Sequence, residues 1–114
     1  MEIFNIASEG GYVNKYWCAG HELLGTAFLL LAVNWGTISG YTPQAVGLTV
    51  FAFAIVLGPV SGGHFNPAIT IALFMRECRR NFFPNLLVAL LYISAQIVGG
   101  LIGVIVALLG IGLA

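Results

Sequence analysis

The chain has 114 residues, 60% of them apolar and only 7% charged, with zero net charge and a mean hydropathy of +1.01. Soluble domains carry about 25% charged residues, so this composition cannot solvate a water-facing surface, and four basic residues make no phosphate-tracking patch. Soluble enzymes and nucleic-acid binders are excluded, and a membrane protein of three or four crossings, at ~20 residues each, is expected.

Residues 1–15 read as an N-terminal segment. It carries Glu2 and Glu9 and no basic stretch ahead of an apolar core, so it is not a cleavable signal peptide, and the first span is expected to direct insertion. That span covers about 16–38, interrupted by His21, Glu22 and Asn34. Gly40-Tyr41-Thr42-Pro43 reads as a turn, with Thr42 as N-cap and Pro43 at the first helical position of a second span over about 43–59. At 1.5 Å per residue that span rises ~25 Å, a little short of a crossing. Val60-Ser61-Gly62-Gly63-His64-Phe65-Asn66-Pro67-Ala68 is loop-like yet flanked by apolar sequence on both sides. From Pro67 to about Met75 a helix would rise only ~14 Å, half a bilayer. The charged connection Arg76-Glu77-Cys78-Arg79-Arg80-Asn81 follows, and the aromatics of Phe82-Phe83-Pro84 fit an interface before a third span over about 84–110.

Lys15 precedes the first span, and Arg76, Arg79 and Arg80 follow the half-helix. If residues 60–75 dip in and return on one face, all four basic residues share one side, and the positive-inside rule makes the N-terminus cytoplasmic. Were residues 60–75 to complete a crossing, the charges would split one against three. The predicted fold is therefore an all-α membrane protein with three transmembrane helices and one re-entrant half-helix. This topology puts Cys18 and Cys78 near the reducing side, where unpaired thiols are expected.

A re-entrant segment is tolerated at membrane depth only where protein or a water-filled cavity satisfies its backbone. Asn66 is placed as N-cap of the half-helix, with Pro67 where its missing N–H costs nothing. With the Asn66 side-chain oxygen capping, its amide N–H₂ faces the cavity as a fixed donor. The half-helix dipole leaves about half a positive charge at this end, which repels cations. Backbone carbonyls of Gly62, Gly63, His64 and Phe65 would offer acceptors, and the glycines let that backbone approach a solute closely. Such a wall suits small uncharged hydroxylic solutes. Two histidines and two cysteines lack metal-site spacing, and Ser61 and His64 lack an orienting acid, so no enzyme activity, metal or cofactor is expected.

The run from Ser61 to Thr70, SGGHFNPAIT, resembles the first Asn-Pro-Ala loop of the aquaporin, or major intrinsic protein, family. Glu22-Leu23-Leu24-Gly25-Thr26 resembles that family's first-helix signature, and Tyr92-Ile93-Ser94-Ala95-Gln96-Ile97-Val98-Gly99-Gly100 its third-helix pattern. The resemblance implies a passive channel built from two inverted repeats whose half-helices meet at the midplane. This chain matches the first repeat only. It stops within Leu109-Gly110-Ile111-Gly112-Leu113-Ala114, so a fragment or truncated product is expected, needing a second repeat or a full-length homologue. Two copies inverted on one another would defy the charge bias. A complete member is expected to be a homotetramer. The implied pore residues are Gly62, Gly63, His64, Phe65, Asn66, Pro67 and Ala68, with Val46 at the second-helix position lining the family's narrow filter. Many water-selective members carry a large aromatic or His there, and many glycerol channels Trp or Phe, so valine suggests a wider or more apolar constriction. Water is the expected solute and glycerol-like solutes the second choice; a different class of reading is a non-conducting subunit that associates with full-length channels.

Glu22, the only acid inside a span, is expected to accept hydrogen bonds from loop N–H groups near residues 61–65 and brace the half-helix, the alternative being a proton relay. His64 is expected to fix the loop rather than act as a pH gate, and His21 is given no role. Gln96 must find a partner in the bundle. It shares a stripe with Tyr92, Gly99 and Gly103, the last two a small-xxx-small pair suited to close helix contact, whereas Gly36 and Gly40 share that spacing but straddle a helix end. The arginine cluster is read as a topology signal that can also touch anionic headgroups.

Overall fold

The computed structural model describes residues 12–113, with side chains from residue 15 onward, so residues 1–11 of the expected N-terminal segment 1–15 lie outside the described residues and residues 12–15 belong to the first helix. Five helices follow in order: α1 (Tyr12–Ser39), α2 (Thr42–Val56), α3 (Gly58–Ser61), α4 (Pro67–Glu77) and α5 (Phe82–Gly112). They form an all-α bundle of 48 × 21 × 21 Å. α1 and α5 are the two helices long and apolar enough to cross a membrane. Both extend beyond the expected 16–38 and 84–110.

Gly99 and Gly103 of α5 lie against the backbone carbonyls of Leu23 and Ala27 in α1, and Gly110 lies beside the Trp35 indole. The offset between paired positions stays nearly constant, so α1 and α5 run parallel. A Cβ at Gly99 or Gly103 would overlap the facing carbonyl. The absence of a side chain is what permits the close approach, as in other small-residue helix contacts.

α1 ends at Gly40, whose φ of +78° suits glycine, with the Tyr41 N–H returning to the Gly36 carbonyl at 2.9 Å. Gly36 also lets the backbone of Thr42 come close. The expected N-cap is corrected here: Tyr41 is the N-cap and makes no side-chain cap bond, Thr42 is already helical, and Pro43 falls within the first turn. The second span is not one helix over 43–59 either. It breaks at Leu57, since Pro59 has no N–H to give the Ile55 carbonyl and its ring crowds that turn. α2 alone rises ~22 Å, whereas residues 42–61 together reach ~30 Å.

α3 brings the chain to Val60, whose carbonyl accepts from the Cys18 thiol near the start of α1 (3.1 Å). α4 starts deeper, beside Gln96, and returns to that same end, where the Phe74 and Phe82 rings lie 5.6 Å apart and the Asn85 amide donates to the Glu77 carbonyl (3.3 Å). Residues 60–77 thus enter and leave the bundle at one end. There Cys18, Ala19, Val88, Ala89 and Tyr92 pack as a buried cluster with Val60, Leu73 and Phe74 around it. α2 has no buried residue, and large apolar side chains cover the outer faces of α1, α2 and α5. An outside this apolar suits lipid or a neighbouring protein.

Candidate functional site

The start of α4 is built locally. Asn66 is extended (φ −155°, ψ 123°), and its Oδ1 accepts from the Ala68 N–H at 2.9 Å, while Pro67 takes the first helical turn. Asn66 is exposed, and among the described residues its Nδ2 donates to nothing, so this amide is directed outward by its own cap. α4 runs two residues past the expected Met75, through Arg76 and Glu77, because Arg76 suits the negative end of the helix.

Ahead of Asn66, three of the four residues 62–65 have positive φ. Gly62 (φ +92°) and Gly63 (φ +65°) accept that conformation freely, but Phe65 (φ +49°) does not. A side chain there costs about 1–2 kcal/mol. Two contacts hold it: the Phe65 N–H donates to Glu22 Oε2 at 2.6 Å, and the ring fills the space left by Gly25, where a Cβ would collide with it. The Phe65 ring meets Phe53 edge-on at 6.4 Å, and Phe53 stacks on Phe28 at 5.1 Å.

Glu22 is fully buried and organises the loop. Its Oε1 accepts from Ser61 Oγ (2.6 Å) and the His64 N–H (3.0 Å), and its Oε2 accepts from the Phe65 N–H and from Gln96 Nε2 (2.9 Å). Four donors, three from residues 61–65 and one from α5, converge on one carboxylate. Gln96 Nε2 also donates to Thr70 Oγ1 (2.9 Å), and the same hydroxyl lies 3.0 Å from His64 Nδ1 and bonds the Asn66 carbonyl (3.3 Å). Tyr92 completes the frame, its hydroxyl donating to the Ser61 carbonyl at 2.7 Å. The Glu22 carboxylate and the Ser61, Thr70 and Tyr92 hydroxyls are thereby held while buried, which desolvation would otherwise penalise. Among the described residues no hydrogen bond ends on the carbonyls of Gly62, Gly63 or Phe65.

A groove of about 430 Å³ runs alongside Asn66 and Pro67, between Leu29 and Leu30 of α1 and Gly100 and Leu101 of α5. Gln96 lines it, and its buried Oε1 has no partner among the described residues.

The structure gathers Gly62, Gly63, His64, Phe65, Asn66, Pro67 and Ala68 around Glu22 and Gln96, but not Val46. Val46 is half-buried near the start of α2, two helical turns from Phe53, the α2 residue whose ring meets Phe65. His21 is bonded within α1, its Nδ1 2.8 Å from the Trp17 carbonyl. Sequence reasoning did not find Thr70, Tyr92 and Gly25 as parts of the site. Thr70 stands one helical turn after Asn66 and Tyr92 one turn before Gln96, a spacing that hints at shared faces. Nothing in the sequence says that Gly25 receives a ring from residue 65.

Comparison with known proteins bears on this arrangement. The family model for major intrinsic proteins matches residues 21–111. The chain is 48% identical to aquaporin-5 of Mus musculus over 59 residues, 52% of this chain and 20% of that one. It is 31% identical to an aquaglyceroporin of Toxoplasma gondii, covering 89% of this chain and 36% of that one, and 32% identical to aquaporin-4 of Mus musculus, covering 90% and 34%. It thus spans about a fifth to a third of the length of these curated relatives. No solved structure matches. With two helices fit to cross a bilayer and a family match running from the first helix almost to the end of the last, this chain belongs to the major intrinsic protein family of integral membrane proteins.

Proposed function

We propose that the chain forms the first of two repeats of a passive, non-enzymatic channel for water, with residues 60–75 as the re-entrant limb and Asn66-Pro67-Ala68 as half of the pore centre. The observation carrying this reading is the orientation of Asn66: its oxygen is spent on the Ala68 N–H, so only the Nδ2 donor is presented. A water oxygen can accept from that amide, and the Gly62, Gly63 and Phe65 carbonyls can accept from waters along the approach. The positive end of α4 opposes cations at the same place. Glu22 and Gln96 serve as supports, since the Glu22 oxygens face the loop's N–H groups and Gln96 Nε2 faces Glu22 and Thr70. The apolar groove beside Pro67, with the buried Gln96 oxygen on its wall, offers a seat for the second repeat or for a full-length homologue. In this reading the N-terminus is cytoplasmic, residues 42–61 complete a span, and the finished channel is a homotetramer.

The modest side chain of Val46, together with alignment to an aquaglyceroporin along 89% of the chain, supports glycerol-sized solutes as the second reading. The decisive measurement uses vesicles holding the chain completed by its second repeat, followed by osmotic light scattering and a pH-sensitive dye. Wild type is expected to pass water without protons, and Asn66→Asp to admit protons or cations by replacing the donor with a negative acceptor. Unchanged water flux with no new leak in Asn66→Asp would overturn the role of Asn66. No osmotic flux in the completed wild type, with co-purification of a full-length homologue, would instead support a non-conducting partner subunit.

A further inference from the structure

We propose that the turn between α4 and α5 is a docking surface for the headgroups of anionic phospholipids. This inference needs membrane integration only and stands apart from conduction. α5 rises ~46 Å, more than the ~30 Å of hydrocarbon and close to the full bilayer with its headgroups, so its first turn lies at headgroup level. Parallel packing of α1 with α5 puts Lys15, near the start of α1, in the same half of the bundle as this turn.

The turn has a fixed shape rather than being a loose charged run. Asn85 is buried at 5% exposure, and its Nδ2 donates to the carbonyls of both Glu77 (3.3 Å) and Arg80 (2.7 Å), while Asn81 takes the left-handed conformation at φ +51° that redirects the chain into α5. Arg76, Arg79 and Arg80 are all exposed, and Arg76 bonds Glu77 at 3.0 Å. Three guanidinium groups within five residues suit phosphate, which arginine binds through paired N–H donors. α5 begins with no acidic residue in its first turn and no side-chain cap, so its dipole adds to the positive field.

Beside this charge stand three exposed apolar side chains, Met75 (68%), Phe82 (47%) and Phe83 (78%). Cation and apolar anchor side by side at the membrane boundary match a molecule carrying phosphate on one end and acyl chain on the other. A soluble phosphate would use only the first half of that surface.

The test measures lipid retention by the purified full chain from mixed micelles of phosphatidylglycerol and phosphatidylcholine, read by native mass spectrometry. Wild type is expected to retain phosphatidylglycerol preferentially. R79Q and R80Q should each weaken that retention about five-fold, the equivalent of ~1 kcal/mol per basic residue at an anionic surface, with phosphatidylcholine unaffected. Charge-keeping R79K should stay near wild type, and if R79Q/R80Q loses helix content by circular dichroism, R79Q alone decides. Equal retention of the two lipids by wild type, or full phosphatidylglycerol retention by R79Q, would overturn the proposal. Displacement of the lipid by a comparable concentration of soluble glycerol phosphate would also overturn it, because the apolar anchors would then contribute nothing.

Discussion

Glu22 holds together three stretches of chain that have no local reason to meet. Replacing it with Gln keeps the shape but puts an N–H₂ where donors converge, leaving at least one of Ser61 Oγ, the His64 and Phe65 N–H groups and Gln96 Nε2 without an acceptor. At about 1–3 kcal/mol for each buried group left unsatisfied, Glu22→Gln is expected to cost about 3 kcal/mol, read as a lower thermal midpoint in detergent together with faster protease cleavage at residues 61–65. A midpoint equal to wild type would mean that the carboxylate does not carry the loop. At this scale the Asn66 cap was legible beforehand, because a cap is a contact between residues two apart. That loop N–H groups need an acceptor was legible as well. The Glu22 to Gln96 bond spans 74 residues, and no local pattern names both ends.

Among the helices, the contact between α1 and α5 rests on missing side chains. Gly99→Ala and Gly103→Ala would each drive a methyl into a backbone carbonyl, which cannot swing aside as a side-chain tip can. Each is expected to lower stability by about 1–3 kcal/mol, the usual cost of overpacking. Gly20→Ala is the contrasting case, since nothing lies within 4 Å of its added Cβ and a helical alanine gains about 0.5–1 kcal/mol over glycine. Thermal melts of the three variants check the contrast, and a destabilised Gly20→Ala would refute it. The sequence showed the Gly99–Gly103 spacing but not its partners. It also failed to show the break at Leu57: Gly58-Pro59 reads equally as a helix end or a kink, and only the deeper packing of Ser61 against Glu22 selects a short continuing turn.

For the whole molecule the testable feature is that residues 60–77 return to the end from which they enter. Cys78 lies in the turn at that end, and Cys18 is buried at 4% exposure with its thiol on the Val60 carbonyl. A membrane-impermeant maleimide applied to sealed vesicles is expected to label Cys78 from one side, to label Lys15→Cys in a Cys78→Ser background from that same side, and to leave Cys18 untouched until denaturation. Labelling of the two positions from opposite sides would mean that the segment crosses. By itself the sequence determined that the chain is a membrane bundle, where its long helices lie and that residues 66–75 form a capped half-helix, because composition and contacts within one helical turn are written along the chain. The tertiary structure decided which donors meet on Glu22, which carbonyls Gly99 and Gly103 admit, and how Gly25 steadies a strained Phe65. Those depend on surfaces brought together from distant segments, where a fraction of an ångström separates a fit from a collision.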